Sequence, residues 1–259
     1  MFNKNYCFVF LSAYLAFSDA AFVDTLMKCQ PEDWDCLKKV IKGVLEGIAD
    51  TGIPEYDIPP IDPLKLTNLK LNFLDMAELT IKEGVVKGLK SCEITDAKLH
   101  MDKGTGLLKL VCDITAKGKY EVTGSGPALK DLFGPGALKG NGNAKLKIEK
   151  MLITYKMKFD VVKRDGKIYL TCEKDLAKYD FDLQGPSHLT LDHLYIGDVD
   201  SSKLIMDYYN QNYKTVWETF GKSTLVSATD IAYEMLYKFF GNVEAEKYLA
   251  GDLSKYVKN

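Results

Sequence analysis

The chain has 259 residues, of which 46% are apolar and 27% charged, and its formal net charge is −2. The balanced charge argues against nucleic acid or an anionic membrane surface as a partner, because both select a basic face. Arg164 is the single arginine, so the bidentate guanidinium contacts that usually recognise phosphates and carboxylates are nearly absent. We therefore expect a partner that is not held mainly by charge.

Residues 1–20 have the pattern of a secretory signal peptide. Lys4 precedes the apolar run Phe8–Phe17, and Ser18–Ala20 places small residues at the two positions that a signal peptidase reads. We expect cleavage after this segment, which leaves residues 21–259 as the ligand-binding domain of a secreted, extracellular protein. No other segment has the roughly 18 consecutive apolar residues that a membrane span needs, so we predict no stable membrane insertion.

The mature chain has five cysteines, an odd number that leaves at least one thiol unpaired or intermolecular. Cys29 and Cys36 flank a turn-like stretch that leads into a helix, so they can close a small loop, and we predict a disulfide between them. The pairing of the other three is open. Cys112 and Cys172 fall on the apolar faces of predicted strands, which favours buried, unreactive thiols over a bridge. The spacings fit no zinc site.

A first helix is predicted from Cys36 to Ala49, where apolar residues recur at helical spacing. The segment Gly52–Leu64 follows, and its four prolines deny the backbone both a helix and a central strand. Its isoleucines still require burial. We therefore predict an extended, rigid strap across the surface of the fold and not a flexible linker.

From Leu66 to Asp198 the apolar periodicity is two, which indicates strands. The segment Leu108–Gly124 has mostly apolar residues at even positions and polar residues at odd positions, as in a long strand with one buried face. A one-residue change of phase at Glu149–Lys150 indicates a bulge, and Arg164–Lys167 has the composition of a hairpin turn. Long antiparallel strands with one apolar face twist and curl, so something must fill the concave side.

The strand before Leu108 is predicted to form a hairpin with the long strand. If Leu99 pairs with Leu108, then Thr95 and not Cys92 lies opposite Cys112. This register argues against a Cys92–Cys112 disulfide unless a bulge shifts it.

The last predicted helix runs from Ser201 to Phe240 and would be about 60 Å long if it is continuous. Asp200, Ser201 or Ser202 can cap its start, Gly241 and Asn242 can end it, and Gly221 is the expected position of a kink. Its apolar stripe consists of Ile205, Tyr209, Tyr213, Val216, Phe220, Ala228, Ile231, Met235 and Phe239. Such a helix must lie against an apolar surface, and the concave sheet supplies one. The prediction is a single α+β domain.

No catalytic motif is present. The segment Phe220–Thr224 imitates the end of a phosphate-binding loop, but Val216 stands where the first glycine is required, and the segment lies in a helical pattern. There is no nucleophile elbow, and the histidines fall on polar phases of strands or in a loop. We predict no enzyme, cofactor or metal. Tyrosines on apolar faces are different, because a phenol in an apolar cavity needs a partner and a ligand oxygen can be that partner.

The chain resembles the insect takeout and juvenile-hormone-binding protein family. The resemblance rests on the Cys29–Cys36 loop before a helix, the proline-rich Gly52–Leu64 segment, the Lys119–Gly124 strand with Gly140–Ala144 behind it, and Asn210–Lys214 in the long helix. It implies a strongly curved antiparallel sheet wrapped around a long C-terminal helix, with a shorter N-terminal helix. It also implies an elongated apolar tunnel for a juvenile hormone, another terpenoid or a fatty acid, and maps the first disulfide to Cys29 and Cys36.

Ligand-binding residues are nominated from the apolar faces of the elements, and the protein is expected to act as a monomer. They are Ile41, Val44, Leu45, Ile48, Leu110, Ile114, Tyr120, Val122, Ile205, Tyr209, Tyr213 and Phe220. Two other functions are possible for such a fold. One is binding of membrane lipid or lipopolysaccharide, which the near-neutral charge disfavours. The other is a lipid hydrolase or isomerase that uses the same cavity.

Overall fold

The computed structural model describes residues 21–73, 76–124, 131, 136–173 and 177–257. Within the last helix, the side chains of residues 223–225, 227 and 228 are not described, so Ala228 of the predicted stripe cannot be placed. The predicted signal peptide, residues 1–20, also lies outside the described residues.

Two helices and ten strands make up the described fold. The helices are α1 (Trp34–Gly47) and α2 (Ser202–Asn242). The strands are β1 (Leu64–Phe73), β2 (Ala77–Lys87), β3 (Glu93–His100), β4 (Thr105–Gly124), β5 (Leu138–Arg164), β6 (Lys167–Cys172), β7 (Lys178–Leu183), β8 (Ser187–Leu191), β9 (Leu194–Ile196) and β10 (Val199–Asp200).

The long strands β4 and β5 form the middle of one antiparallel sheet and pair with each other over almost the whole length of β4. β3 pairs with the first half of β4, and β2, followed by β1, pairs with its second half. The other edge of β5 carries β9, β8, β7 and β6 in succession. The predicted bulge is present, because Cys112 pairs with Met151 whereas Ile114 pairs with Ile148, and the Lys150 N–H donates to Asp113.

Helix α2 packs on the inner face of the sheet and contacts β1, β6, β7 and β8, which lie on both sides of the central pair. The sheet therefore curves around the helix, and the predicted α+β architecture is confirmed. A close approach between β2 and β4 contributes to the curvature. A Cβ atom on Gly118 would lie 2.3 Å from Glu83 O and 2.7 Å from Gly84 Cα, so only glycine fits there. A register shift between Ile81 and Glu83 lies beside this contact.

The N-terminal helix and the strap close one end of the molecule. Asp33 caps α1 by accepting a hydrogen bond from the Cys36 N–H at 3.0 Å. The strap buries Ile53, Ile58 and Ile61 in the largest core cluster, as predicted. It is not extended throughout, because Pro54–Tyr56 forms a 3₁₀ turn, which proline at a first helical position favours.

A buried carboxylate fixes the end of the strap. Asp62 accepts hydrogen bonds from the backbone N–H groups of Gly88 and Lys90 at 3.0 and 3.1 Å. These contacts connect the strap to the turn between β2 and β3.

The last helix differs from its prediction in two places. The predicted kink at Gly221 is wrong, because the backbone leaves helical angles at Asn212 instead (φ −123°, ψ 21°). There the Asn212 side-chain amide donates to Tyr208 O, four residues earlier, at 2.9 Å. The helix also continues through Asn242 and ends before Val243. At its start, the Asp200 carboxylate accepts the Ser202 N–H at 2.9 Å.

Two disulfides join cysteines of the described residues. Cys29–Cys36 forms as predicted. The expectation against a Cys92–Cys112 bridge is wrong. Leu99 pairs with Gly106 and not with Leu108, and a register shift at Thr95 moves the strands further, so that Glu93 pairs with Val111 and the two cysteines are adjacent. Of the five described cysteines, Cys172 is the free one, and it is buried as expected.

Candidate functional site

A cavity of about 440 Å³ lies between the N-terminal half of α2 and the inner face of the sheet. One row of the sheet crosses five strands and consists of Leu66, Gly84, Gly118, Ala144 and Leu191. All of these residues except Gly84 line the cavity. Gly118 and Ala144 leave space where larger side chains would fill the interior. The cavity therefore occupies the region where the sheet bends and its side chains are smallest.

The lining of the cavity is almost entirely apolar. The sheet contributes mainly leucines, and the helix contributes Ile205, Val216, Trp217 and Phe220. Among the described residues that line it, Lys117 is the one charged residue, and it is exposed to solvent. Such a lining selects ligands through burial of apolar surface.

Tyr120 carries one of the polar groups on the cavity wall. Its side chain is 2% exposed, and its hydroxyl donates to the backbone carbonyl of Asp192 at 2.8 Å. Burial, and secondarily the Asp192 charge, raises the pKa of Tyr120 to about 12. This hydroxyl is neutral, and its hydrogen is already committed to a protein acceptor.

Tyr209 carries a second polar group and lies on α2. The Trp217 indole N–H donates to Tyr209 Oη at 2.7 Å, and Ser187 Oγ lies 2.6 Å from the same oxygen. Burial raises the pKa of Tyr209, and the hydrogen bonds from its neighbours oppose that shift in part. The phenol therefore remains neutral at physiological pH and sits in a small polar cluster on an otherwise apolar wall.

The structure brings some of the nominated residues together and separates others. Those that line this cavity are Tyr120, Val122, Ile205, Tyr209 and Phe220. The residues nominated from α1 and its C-cap belong to the core cluster with the strap or pack against it, and they are Ile41, Val44, Leu45 and Ile48. Leu110, Ile114 and Tyr213 are not part of the lining either, and Ile114 packs against a cluster that contains Trp217.

Tyr213 directly follows the departure from helical angles at Asn212 and does not line the cavity, although Tyr209 before it and Val216 after it do. Periodicity alone identifies an apolar face but does not show which part of that face is packed and which part faces a cavity.

The outer strands of the wall were not nominated from the sequence. β1 and β2 contribute Leu66, Leu69, Leu79 and Ile81 to the lining. Leu66 and Leu69 differ in phase, and Asn68 between them has a φ of +50°. The sequence feature that indicates these lining residues is a leucine-rich strand interrupted by Asn68, because asparagine tolerates the left-handed conformation.

The described residues include no group of three or more His, Cys, Asp or Glu side chains that could hold a metal ion. The described part of the chain also has no helix that is both long and apolar enough to cross a membrane.

The curved sheet, the long helix and the apolar cavity between them define an α+β protein of a hydrophobic-ligand-binding class. The chain belongs to the haemolymph juvenile hormone binding protein family, whose family model matches residues 6–250. The crystal structure of Epiphyas postvittana Takeout 1 superposes with a TM-score of 0.74 at 25% identity, covering 86% of this chain and 99% of that chain.

A juvenile hormone-binding protein of Manduca sexta is 35% identical over 88 residues. That match covers 33% of this chain and 38% of the length of the Manduca protein. A lipopolysaccharide binding protein superposes with a TM-score of 0.36 at 13% identity over 79% of this chain and 38% of that chain, which is too low to carry an argument.

Proposed function

We propose that this protein is a secreted carrier that holds a small hydrophobic ligand in an elongated apolar tunnel, of which the cavity under α2 is a part. The observation that carries the proposal is that cavity, whose lining has a single, solvent-exposed charged residue. Burial of apolar ligand surface at about 25 cal/mol per Å² gives roughly micromolar or better affinity after association costs, with no reacting group required.

The family and the Manduca relative suggest the ligand class, which is a juvenile hormone, another terpenoid or a fatty acid. The two disulfides suit an oxidising compartment, as expected if residues 1–20 are removed as a signal peptide and residues 21–259 are secreted as a monomer. Ligand shielding and not turnover is the proposed role, because Tyr120 and Tyr209 on the wall are neutral phenols that hydrogen-bond to protein groups and to no catalytic base among the described residues.

The test is to express the protein in a secretory host, extract it with organic solvent and identify any ligand by mass spectrometry. Binding of radiolabelled fatty acid and juvenile hormone is then measured with two variants. Ala116→Trp fills the cavity from the sheet side, whereas Lys145→Trp places the same side chain on the exposed face of the neighbouring strand.

We expect Ala116→Trp to lose at least tenfold in affinity and Lys145→Trp to bind like the natural protein. Equal affinity of both variants, or no binding of any apolar molecule by the natural protein, would contradict the proposal.

A further inference from the structure

The cluster of Tyr209, Trp217 and Ser187 contains more hydrogens than its hydrogen bonds use. Three hydrogens are available, one on the indole nitrogen and one on each hydroxyl. The indole hydrogen goes to Tyr209 Oη, and the contact between Tyr209 and Ser187 uses one hydroxyl hydrogen. Among the described residues, neither hydroxyl makes a further hydrogen bond that would use the second hydroxyl hydrogen.

Two arrangements of the hydroxyl hydrogens are possible. If Tyr209 donates to Ser187, the spare hydrogen lies on Ser187, which is 4% exposed and does not line the cavity. If Ser187 donates to Tyr209, Tyr209 Oη accepts two hydrogen bonds and its own hydrogen remains available. Tyr209 lines the cavity, so a ligand oxygen in the cavity can accept that hydrogen. The second arrangement, with such a ligand present, satisfies all three hydrogens.

We infer that Tyr209 donates a hydrogen bond to an uncharged acceptor oxygen of the ligand, such as a carbonyl, ester or ether oxygen, and that Ser187 and Trp217 hold the phenol in that role. The inference rests on the proposed carrier function and narrows its ligand class. An ionised carboxylate does not fit at this position, because the one charged residue of the lining, Lys117, is exposed and an uncompensated buried charge is costly.

Tyr120 does not offer the same donor. Its hydrogen is used by Asp192 O at 2.8 Å, so an approaching ligand oxygen would have to displace a protein hydrogen bond. Of these two phenols, Tyr209 is therefore the one whose hydrogen a ligand oxygen can accept without displacing a bond to a backbone carbonyl.

The test compares two probes, methyl tetradecanoate and the hydrocarbon pentadecane, by displacement of a bound fluorescent dye. We expect the natural protein to bind the ester about 5- to 10-fold more tightly than the hydrocarbon, as one neutral hydrogen bond provides. Tyr209→Phe should reduce this ratio to near one and leave the affinity for the hydrocarbon within about twofold.

The matched control is Tyr233→Phe, which removes a phenolic hydroxyl from the same helix, away from the cavity. It should keep the ratio of the natural protein. An unchanged ratio in Tyr209→Phe would overturn the inference and leave the carrier function standing. Failure of both probes to bind the natural protein would instead count against the carrier function itself.

Ser187→Ala supplies a second test that does not depend on Tyr209→Phe folding, since Tyr209 Oη still accepts from Trp217 in this variant. The phenolic hydrogen is then left with the ligand as its one acceptor. The ester preference should be retained or increased. If the Ser187→Ala variant loses the preference for the ester, then Ser187 and not Tyr209 donates the hydrogen bond to the ligand. That result would overturn the assignment to Tyr209.

Discussion

Two buried tyrosines show how much depends on the partner of a single hydroxyl. Tyr248 Oη is buried and has no hydrogen-bond partner among the described residues, whereas the Tyr120 hydroxyl donates to a backbone carbonyl. A buried polar group without a partner costs about 1–3 kcal/mol relative to its hydrated state, and a group that has one largely recovers that cost. The same substitution should therefore have opposite effects at these two positions.

We predict that Tyr248→Phe raises the free energy of unfolding by about 1 kcal/mol and that Tyr120→Phe lowers it by about 1–2 kcal/mol. Urea unfolding followed by circular dichroism measures both. A destabilised Tyr248→Phe would show that its hydroxyl is satisfied in solution.

Cys172 should behave as an inert thiol. Burial raises the pKa of this thiol from 9.0 to about 11, so little thiolate exists at pH 8. We predict that a thiol reagent leaves the native mature protein unmodified at pH 8 and labels one thiol per chain after unfolding. Rapid labelling of the native protein would contradict the buried position.

The raised pKa of Cys172 also makes the free energy of unfolding depend on pH. The unfolded thiol ionises at lower pH than the folded thiol, so the contribution of Cys172 is complete below pH 9 and is lost as the pH rises towards 11.

At the scale of elements, Gly221 of α2 and Gly43 of α1 have different roles. A Cβ atom on Gly221 would lie 2.3 Å from the Phe181 ring and 2.8 Å from the Trp217 ring. A Cβ atom on Gly43 would meet nothing within 4 Å. Gly221 is therefore required by the packing of α2 on β7, whereas Gly43 only weakens α1.

We predict that Gly221→Ala lowers the free energy of unfolding by about 1–3 kcal/mol because it overpacks the interface. Gly43→Ala should raise it by about 0.5–1 kcal/mol through better helix propensity. Denaturant titration of the two variants and of the natural protein measures both changes in the free energy of unfolding. Equal changes in the two variants would contradict the explanation that Gly221→Ala overpacks the interface.

The sequence predicted both helices, the long strand and the bulge at Lys150, because these features are periodic or locally encoded. It misplaced the kink of α2, since helix propensity marks Gly221 as the weak point but does not show that the Asn212 amide bonds to Tyr208 O. It also misplaced the β3–β4 register, because pairing Leu99 with Gly106 and not with Leu108 is a two-residue slip that keeps every side chain on the same face.

At the scale of the whole molecule, a packed end and a cavity end share the central strands. The largest core cluster joins α1, the strap, β3, β6 and the segment after α2. The cavity lies along β1, β2, the second half of β4 and the N-terminal half of α2. The sequence predicted that helix and sheet face each other, but not where along this interface packing stops, since that depends on side-chain volumes meeting across distant strands.

We predict that a bound ligand slows amide hydrogen exchange in β1, β2 and the segment 205–221, and leaves α1 nearly unchanged. A ligand that binds only the native state stabilises it, and the stabilisation grows with ligand concentration. Exchange measured with and without methyl tetradecanoate checks the prediction. Protection concentrated in α1 would place the ligand at the other end.

The contact between Gly84 and Gly118 links the backbone of β2 and β4 to the volume of the cavity. Since the bend of the wall depends on two residues that lack side chains, a single mutation to alanine at Gly118 would force β2 and β4 apart. The volume available to a guest is thus governed by backbone proximity as much as by the residues that touch the guest. Related proteins could therefore accommodate ligands of different size while every residue that contacts the ligand stays the same.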